Sequence, residues 1–267
     1  MKTLRRILAP VVGLLVAVGQ PVAAEQVRDV EATVGGRTVH ALCTDGPRQA
    51  VLLHGDSGGA ESWRPVLEHL SGRVGACAYD RPAADGGERG WFELLDELRQ
   101  AHAALGFEPG YTLVGFDVGG LYARLFAVDR PWEVGGLVLV DPAHEDWPRE
   151  ARPGMPSDAW SQWMAERRRP NADGVRESEL ARRARGTRLP DVPVTVITAT
   201  ERESGEGWNE RFLAEAARRV HASILRGVRT ARHIPATGSG HNVPLEAPDL
   251  VAEEIARMVR MTDGAER

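Results

Sequence analysis

Apolar residues recur along this chain in two alternating periods, and that alternation predicts the architecture. Two short β-type runs, 26–34 and 37–43, flank Gly35-Gly36, a hairpin signature. Ala50-Val51-Leu52-Leu53 is continuously apolar and stops at His54-Gly55, the pattern of a strand buried on both faces of a parallel sheet. Trp63, Val66, Leu67 and Leu70 then fall at helical spacing. Further strands are expected at 74–79, 111–114, 136–140, 192–198 and 232–236. Further helices are expected at 91–105, directly after Gly120, at 209–221 and at 248–261. Strands alternating with helices predict an α/β fold, a mostly parallel sheet with helices on both faces.

The rhythm breaks between Asp141 and Leu189. Two helical stretches, 158–169 and 175–185, are separated by Pro and Gly. An insertion after the carboxyl end of a strand sits over the sheet edge where ligands bind in open α/β folds. It reads as a small helical lid covering about 142–190. Within it, Trp160, Trp163 and Met164 lie at i, i+3, i+4, either as part of a substrate pocket or as a packing stripe that anchors the lid.

Composition narrows the picture little. The 267 residues are 42% hydrophobic and 27% charged, with a formal net charge of −5, which suits one globular domain over 25–267 and gives no sign of a nucleic-acid partner. The first 24 residues differ: Lys2, Arg5 and Arg6 precede an apolar run over 7–18, and Pro21-Val22-Ala23-Ala24 ends in small residues. This reads as a secretory signal peptide, 1–24, with an uncleaved anchor as the alternative. The mature protein is then expected outside the cytoplasm, secreted or periplasmic, with no stable membrane anchor. Export would place Cys43 and Cys77 where a disulfide can persist; two buried free thiols are the alternative.

The chemistry concentrates at Gly115-Phe116-Asp117-Val118-Gly119-Gly120, between an expected strand and an expected helix. Glycines on both sides permit a turn so tight that the central residue is pushed outward on a strained backbone. The segment resembles the nucleophile elbow of the α/β-hydrolase superfamily, with Asp117 where serine is usual. His54-Gly55 resembles that superfamily's oxyanion-hole loop, which implies a hole formed by the backbone N–H groups of Asp56 and Val118. Gly238-Ser239-Gly240-His241 resembles its catalytic-histidine loop. The resemblance runs from about Gly36 to Met261 and is strongest over 114–144, where it looks like exported bacterial esterase-like hydrolases. It favours Asp141 as the triad acid, directly at its strand end and spaced as in haloalkane dehalogenases whose acid precedes the lid, with Glu201 (and Glu203 close by) as the alternative. It also sets the strand of Cys43 beside that of Cys77, which makes a Cys43–Cys77 bridge feasible.

An aspartate at the elbow resembles haloalkane dehalogenases and epoxide hydrolases, whose nucleophile displaces a leaving group from carbon and forms an alkyl ester. The leaving-group features of those families are missing. Val118 stands where the dehalogenases have Trp, Asp56 where many have an amide, and none of Tyr79, Tyr111 and Tyr122 lies in the lid. Three readings follow: an exported hydrolase of a small apolar substrate through an Asp117 ester and a His241 base; a carboxylic-ester hydrolase with Asp117 as base; or a silent pocket-binding protein. No cofactor and no metal is expected, because the histidines lack ligand spacing and two cysteines are too few for a zinc site.

Overall fold

The structure, a computed structural model, describes residues 27–84, 87–202 and 206–265. The leader expected at 1–24, and Glu203, lie outside the described residues. Eight strands form one sheet: β1 (Arg28–Val34), β2 (Arg37–Cys43), β3 (Arg48–Leu53), β4 (Gly75–Tyr79), β5 (Tyr111–Phe116), β6 (Val134–Val140), β7 (Val194–Ala199) and β8 (Ala231–Ala236). Their spatial order is β1-β2-β4-β3-β5-β6-β7-β8. β1 and β2 form the antiparallel hairpin, β2 pairs antiparallel with β4, and every later pair is parallel.

The helices are α1 (Arg64–Leu70), α2 (Trp91–Ala104), α3 (Val118–Asp129), α4 (Trp147–Ala151), α5 (Ser157–Glu166), α6 (Glu177–Ala184), α7 (Glu210–Ile224), α8 (Val243–Glu246) and α9 (Pro248–Ala265). Alternate residues of the central strands feed two cores. Val51, Leu53, Leu113 and Leu137 face one layer with α2 and α3, whereas Leu52, Val114, Val138 and Ile197 face the other with α1 and α9. Both faces are therefore dry, and the strands read as continuous apolar runs rather than alternating ones.

Cys43 lies directly opposite Cys77 in the β2–β4 register, with Cα atoms 4.2 Å apart, and the two form a disulfide. The insertion between β6 and β7 carries α4, α5 and α6. Helix α4 was not expected; it is only five residues long, too short for a helical period to show. Among the described residues no helix is long and apolar enough to cross a membrane.

Candidate active site

Asp117 ends the β5 strand run and caps α3 with φ 50° and ψ −122°. Among the described residues, only Asp117 and Asp141 combine a side chain with positive φ. Strain of this kind persists only where surrounding packing imposes it, and at the elbow the packing is visible. A Cβ on Gly119 would sit 2.4 Å from the His54 carbonyl oxygen, and one on Gly115 would sit 2.3 Å from that of Gly119. The flanking glycines thus let the first turn of α3 press against the end of β3. That contact brings the backbone of Val118, the first residue of α3, beside the His54-Gly55 loop, and Gly55 itself packs on the Asp117 side chain.

His241 follows β8, and its Nε2 lies 3.8 Å from Asp117 Oδ1 while its Nδ1 bonds Asp141 Oδ2 at 2.6 Å. Asp141, at the end of β6, is buried and also accepts from the Ala199 N–H at 3.0 Å and from two Arg202 nitrogens at 2.8 Å each. Burial alone would raise its pKa, but the His241 hydrogen bond and the Arg202 charge outweigh it and hold Asp141 well below the usual carboxylate range. Burial pulls the His241 imidazole down, yet the Asp141 hydrogen bond and the nearby Asp117 charge together raise it. Of the two acids the sequence offered, only Asp141 meets His241. Glu201 is exposed in the loop two residues past the end of β7, its backbone N–H donating to the Ser239 carbonyl.

Asp56 is exposed beside the elbow and lines an open groove of about 540 Å³ with Gly55, Asp117 and His241. Burial of part of its carboxyl raises its pKa, and the charges of Asp117 and Asp173 raise it further. On the other side of the Asp117–His241 pair lies a cavity of about 280 Å³, walled by Trp147, Trp163, Trp208, Met155 and Leu213. Trp160 does not line it, contrary to the sequence expectation. It stacks behind Trp163, ring centroids 5.4 Å apart, because residues three apart on α5 share a face but only the nearer indole reaches the cavity.

Several further residues shape the site. Arg81 follows β4, is buried, and donates to the His54 and Gly55 carbonyls at 2.7 and 2.9 Å. It pairs with Asp173 of the lid at 3.0 Å, and Asp173 also accepts from the Tyr122 hydroxyl at 2.9 Å. Asp80, one residue earlier, accepts from the Ala60 N–H and faces His40. Burial and the Arg81 charge push the His54 imidazole down to about 4, so it sits neutral in the loop, as a structural residue. Arg202 and Arg167 also line the cavity. Among the described residues no group of His, Cys, Asp and Glu is arranged to hold a metal ion.

Known proteins resemble much of this chain. A model of the alpha/beta hydrolase fold family matches residues 51–224. The uncharacterized protein YqjL of Bacillus subtilis (strain 168) is 23% identical over 232 residues, 82% of this chain and 87% of that protein. A pimeloyl-[acyl-carrier protein] methyl ester esterase of Edwardsiella ictaluri is 34% identical over 118 residues, 43% of this chain and 45% of the esterase. In structure, a haloalkane dehalogenase of Agrobacterium tumefaciens C58 superposes with TM-score 0.62 at 15% identity, covering 89% of this chain and 97% of that one. A thermophilic esterase of Thermogutta terrifontis superposes with TM-score 0.59 at 17% identity, covering 88% and 99%. With its sheet order, elbow and family match together, the chain belongs to the alpha/beta hydrolase fold family and is a hydrolase whose subclass these likenesses leave open.

Proposed function

We propose that this protein hydrolyses a small, largely apolar substrate through a covalent ester on Asp117. The observation that carries the reading is the geometry of three side chains: a carboxylate on a strained elbow, an imidazole nitrogen 3.8 Å away, and a buried carboxylate 2.6 Å from the other ring nitrogen. Asp117 Oδ attacks an sp³ carbon, and the C–X electron pair leaves with X. His241 then takes a proton from water, and the hydroxide adds to Cγ of Asp117. The backbone N–H groups of Val118 and Asp56 face the tetrahedral oxyanion. Collapse breaks the bond to the alkoxide, which recovers the proton from His241. Asp141 keeps Nδ1 protonated and stabilises the imidazolium.

A second reading, hydrolysis of a carboxylic ester with Asp117 as base toward water, is favoured by the 34% identity to the ester esterase. Two measurements separate them. The His241→Gln variant, incubated with alkyl halides and epoxides, should accumulate an alkyl mass adduct on the Asp117 peptide, because the water step is blocked. A single turnover of the unmodified enzyme in ¹⁸O water should label Asp117. Label in the product alone, with no adduct on the variant, would replace the first reading by the second.

We further infer that residues 1–24 direct export. The disulfide joining β2 to β4 supports this, since such bonds persist in oxidising compartments.

A further inference from the structure

The displacement reading leaves the departing group without a partner, since the lid offers no tyrosine. One lid side chain has the chemistry for that role. Arg167 caps the C-terminal end of α5, is 12% exposed, and lines the same cavity as Asp117 and His241. Its guanidinium carbon sits 4.5 Å from the centroid of the Trp163 ring, which holds the planar group by cation–π contact. Its one polar side-chain contact among the described residues is the ion pair with Glu177, the first residue of α6. A guanidinium carries five N–H donors in a fixed fork, so one carboxylate leaves donors open.

The other arginine of the cavity, Arg202, is differently committed: both terminal nitrogens bond Asp141. Of the other polar lining groups, Asp141 is paired with Arg202 and His241, and His144 and His221 are buried; the rest of the wall is aromatic or aliphatic, so a charge entering the cavity meets little competing water. Glu177 is a weak counter-ion. Burial pushes its carboxyl up to about 7; Arg167 opposes the rise, and the charges of Asp117 and Asp56 add to it. A proton on Glu177 leaves the Arg167 charge unopposed.

We propose that Arg167 forms a subsite for a small monovalent anion in the cavity beside Asp117, the anion being the displaced leaving group or a carboxylate carried by the substrate. The site stands on the cavity itself; only the identity of its anion rests on the Asp117 displacement reading. Glu177 acts as a positioning residue, holding Arg167 over Trp163 until the anion takes over.

The test is direct binding to the full-length mature protein without substrate. Sodium bromide, titrated at constant ionic strength, should quench tryptophan fluorescence saturably, because Trp163 underlies Arg167. Competition by sodium acetate marks the site as one for a substrate carboxylate; bromide binding that acetate does not displace marks it as one for a leaving halide. Arg167→Gln should weaken binding roughly tenfold or more, the weight of a charged hydrogen bond, and Arg167→Lys should retain part of it. Glu177→Gln should tighten binding, a gain that a damaged lid cannot produce. Unsaturable quenching in the unmodified protein, equal affinity in Arg167→Gln, or no gain in Glu177→Gln overturns the proposal. Adduct trapping on His241→Gln is a separate readout, so failure of the displacement reading leaves this result standing and vice versa.

Discussion

Asp141 shows how one residue's environment sets the reactivity of another. Its carboxylate is fully buried and would be costly to ionise alone, yet it receives donors from Ala199, from Arg202 twice and from His241. Arg202 shares the negative charge that His241 would otherwise feel undivided, and so lowers the imidazole's proton affinity. In the proposed mechanism His241 acts as base only when neutral. Replacing Arg202 with Met should therefore raise its pKa and move the acid limb of the kcat/KM profile to higher pH. The measurement is the pH–rate profile on whichever substrate the trapping experiment identifies. A rate loss with an unmoved limb would mean that Arg202 only packs. Arg202 stood next to the candidate acid Glu201 in the sequence, but nothing in that adjacency revealed a bond to a residue 61 positions earlier.

At the level of elements, the lid is joined to the His54-Gly55 loop after β3 by a buried ion pair. Arg81 grips the carbonyls of His54 and Gly55 with one side of its guanidinium and Asp173 with the other; the two side chains are 1% and 3% exposed. Tyr122, on α3, adds a hydroxyl to Asp173 and lies 5.1 Å under the guanidinium. Three segments that shape the site, the loop after β3, α3 and the lid base, thus share one polar knot inside an apolar layer. Removing one partner leaves the other charge buried and unpaired, so Asp173→Ala should cost about 3–5 kcal/mol in urea unfolding. The double replacement Arg81→Met/Asp173→Leu should cost less than Asp173→Ala alone, because no lone charge remains. A larger loss in the double variant would show that the pair is valued for shape rather than charge. The helix faces follow from spacing alone: Leu94, Leu95, Leu98 and Ala101 of α2 recur at helical intervals and are all buried. The place of Asp173 does not, since it sits in a Pro/Gly segment with no period to read.

The whole molecule combines a disulfide at one side of the sheet with buried neutral histidines through the rest. The Cys43–Cys77 bridge closes a separation of 34 residues, and Cys43→Ala should lower stability by about 2–5 kcal/mol. The intact mass of protein recovered from outside the cytoplasm should begin at Glu25, with no thiol alkylated until reductant is added. A mass retaining 1–24, or two free thiols, contradicts export with oxidation. Burial holds His102 and His221 down to about 3, and His54 and His144 to about 4. Each is neutral when folded and takes a proton in the unfolded chain below about 6.5. Stability is therefore full above that value and falls as the pH drops toward the folded values, by about 1.4 kcal/mol per pH unit for each such group. Unfolding midpoints measured from pH 8 to pH 4 should decline below about 6.5. A midpoint flat to pH 4 would mean that these rings open to water.

Local chemistry was enough to read the eight strands, the lid and the elbow, because an apolar period and a glycine spacing are properties of neighbouring residues. The candidate nucleophile, base and oxyanion loop were expected instead from the resemblance of short motifs to a known superfamily. The preference for Asp141 over Glu201 rested on strand-end position and agrees with the fold, whereas the inward place of Trp163 over Trp160 and the parts played by Arg81, Asp173, Arg202, Arg167 and Glu177 came only with the fold. Most of these are meetings of charged groups across tens of residues, decided by which strand ends lie side by side and by which carboxylates are buried together. A linear chain carries no period for such pairings.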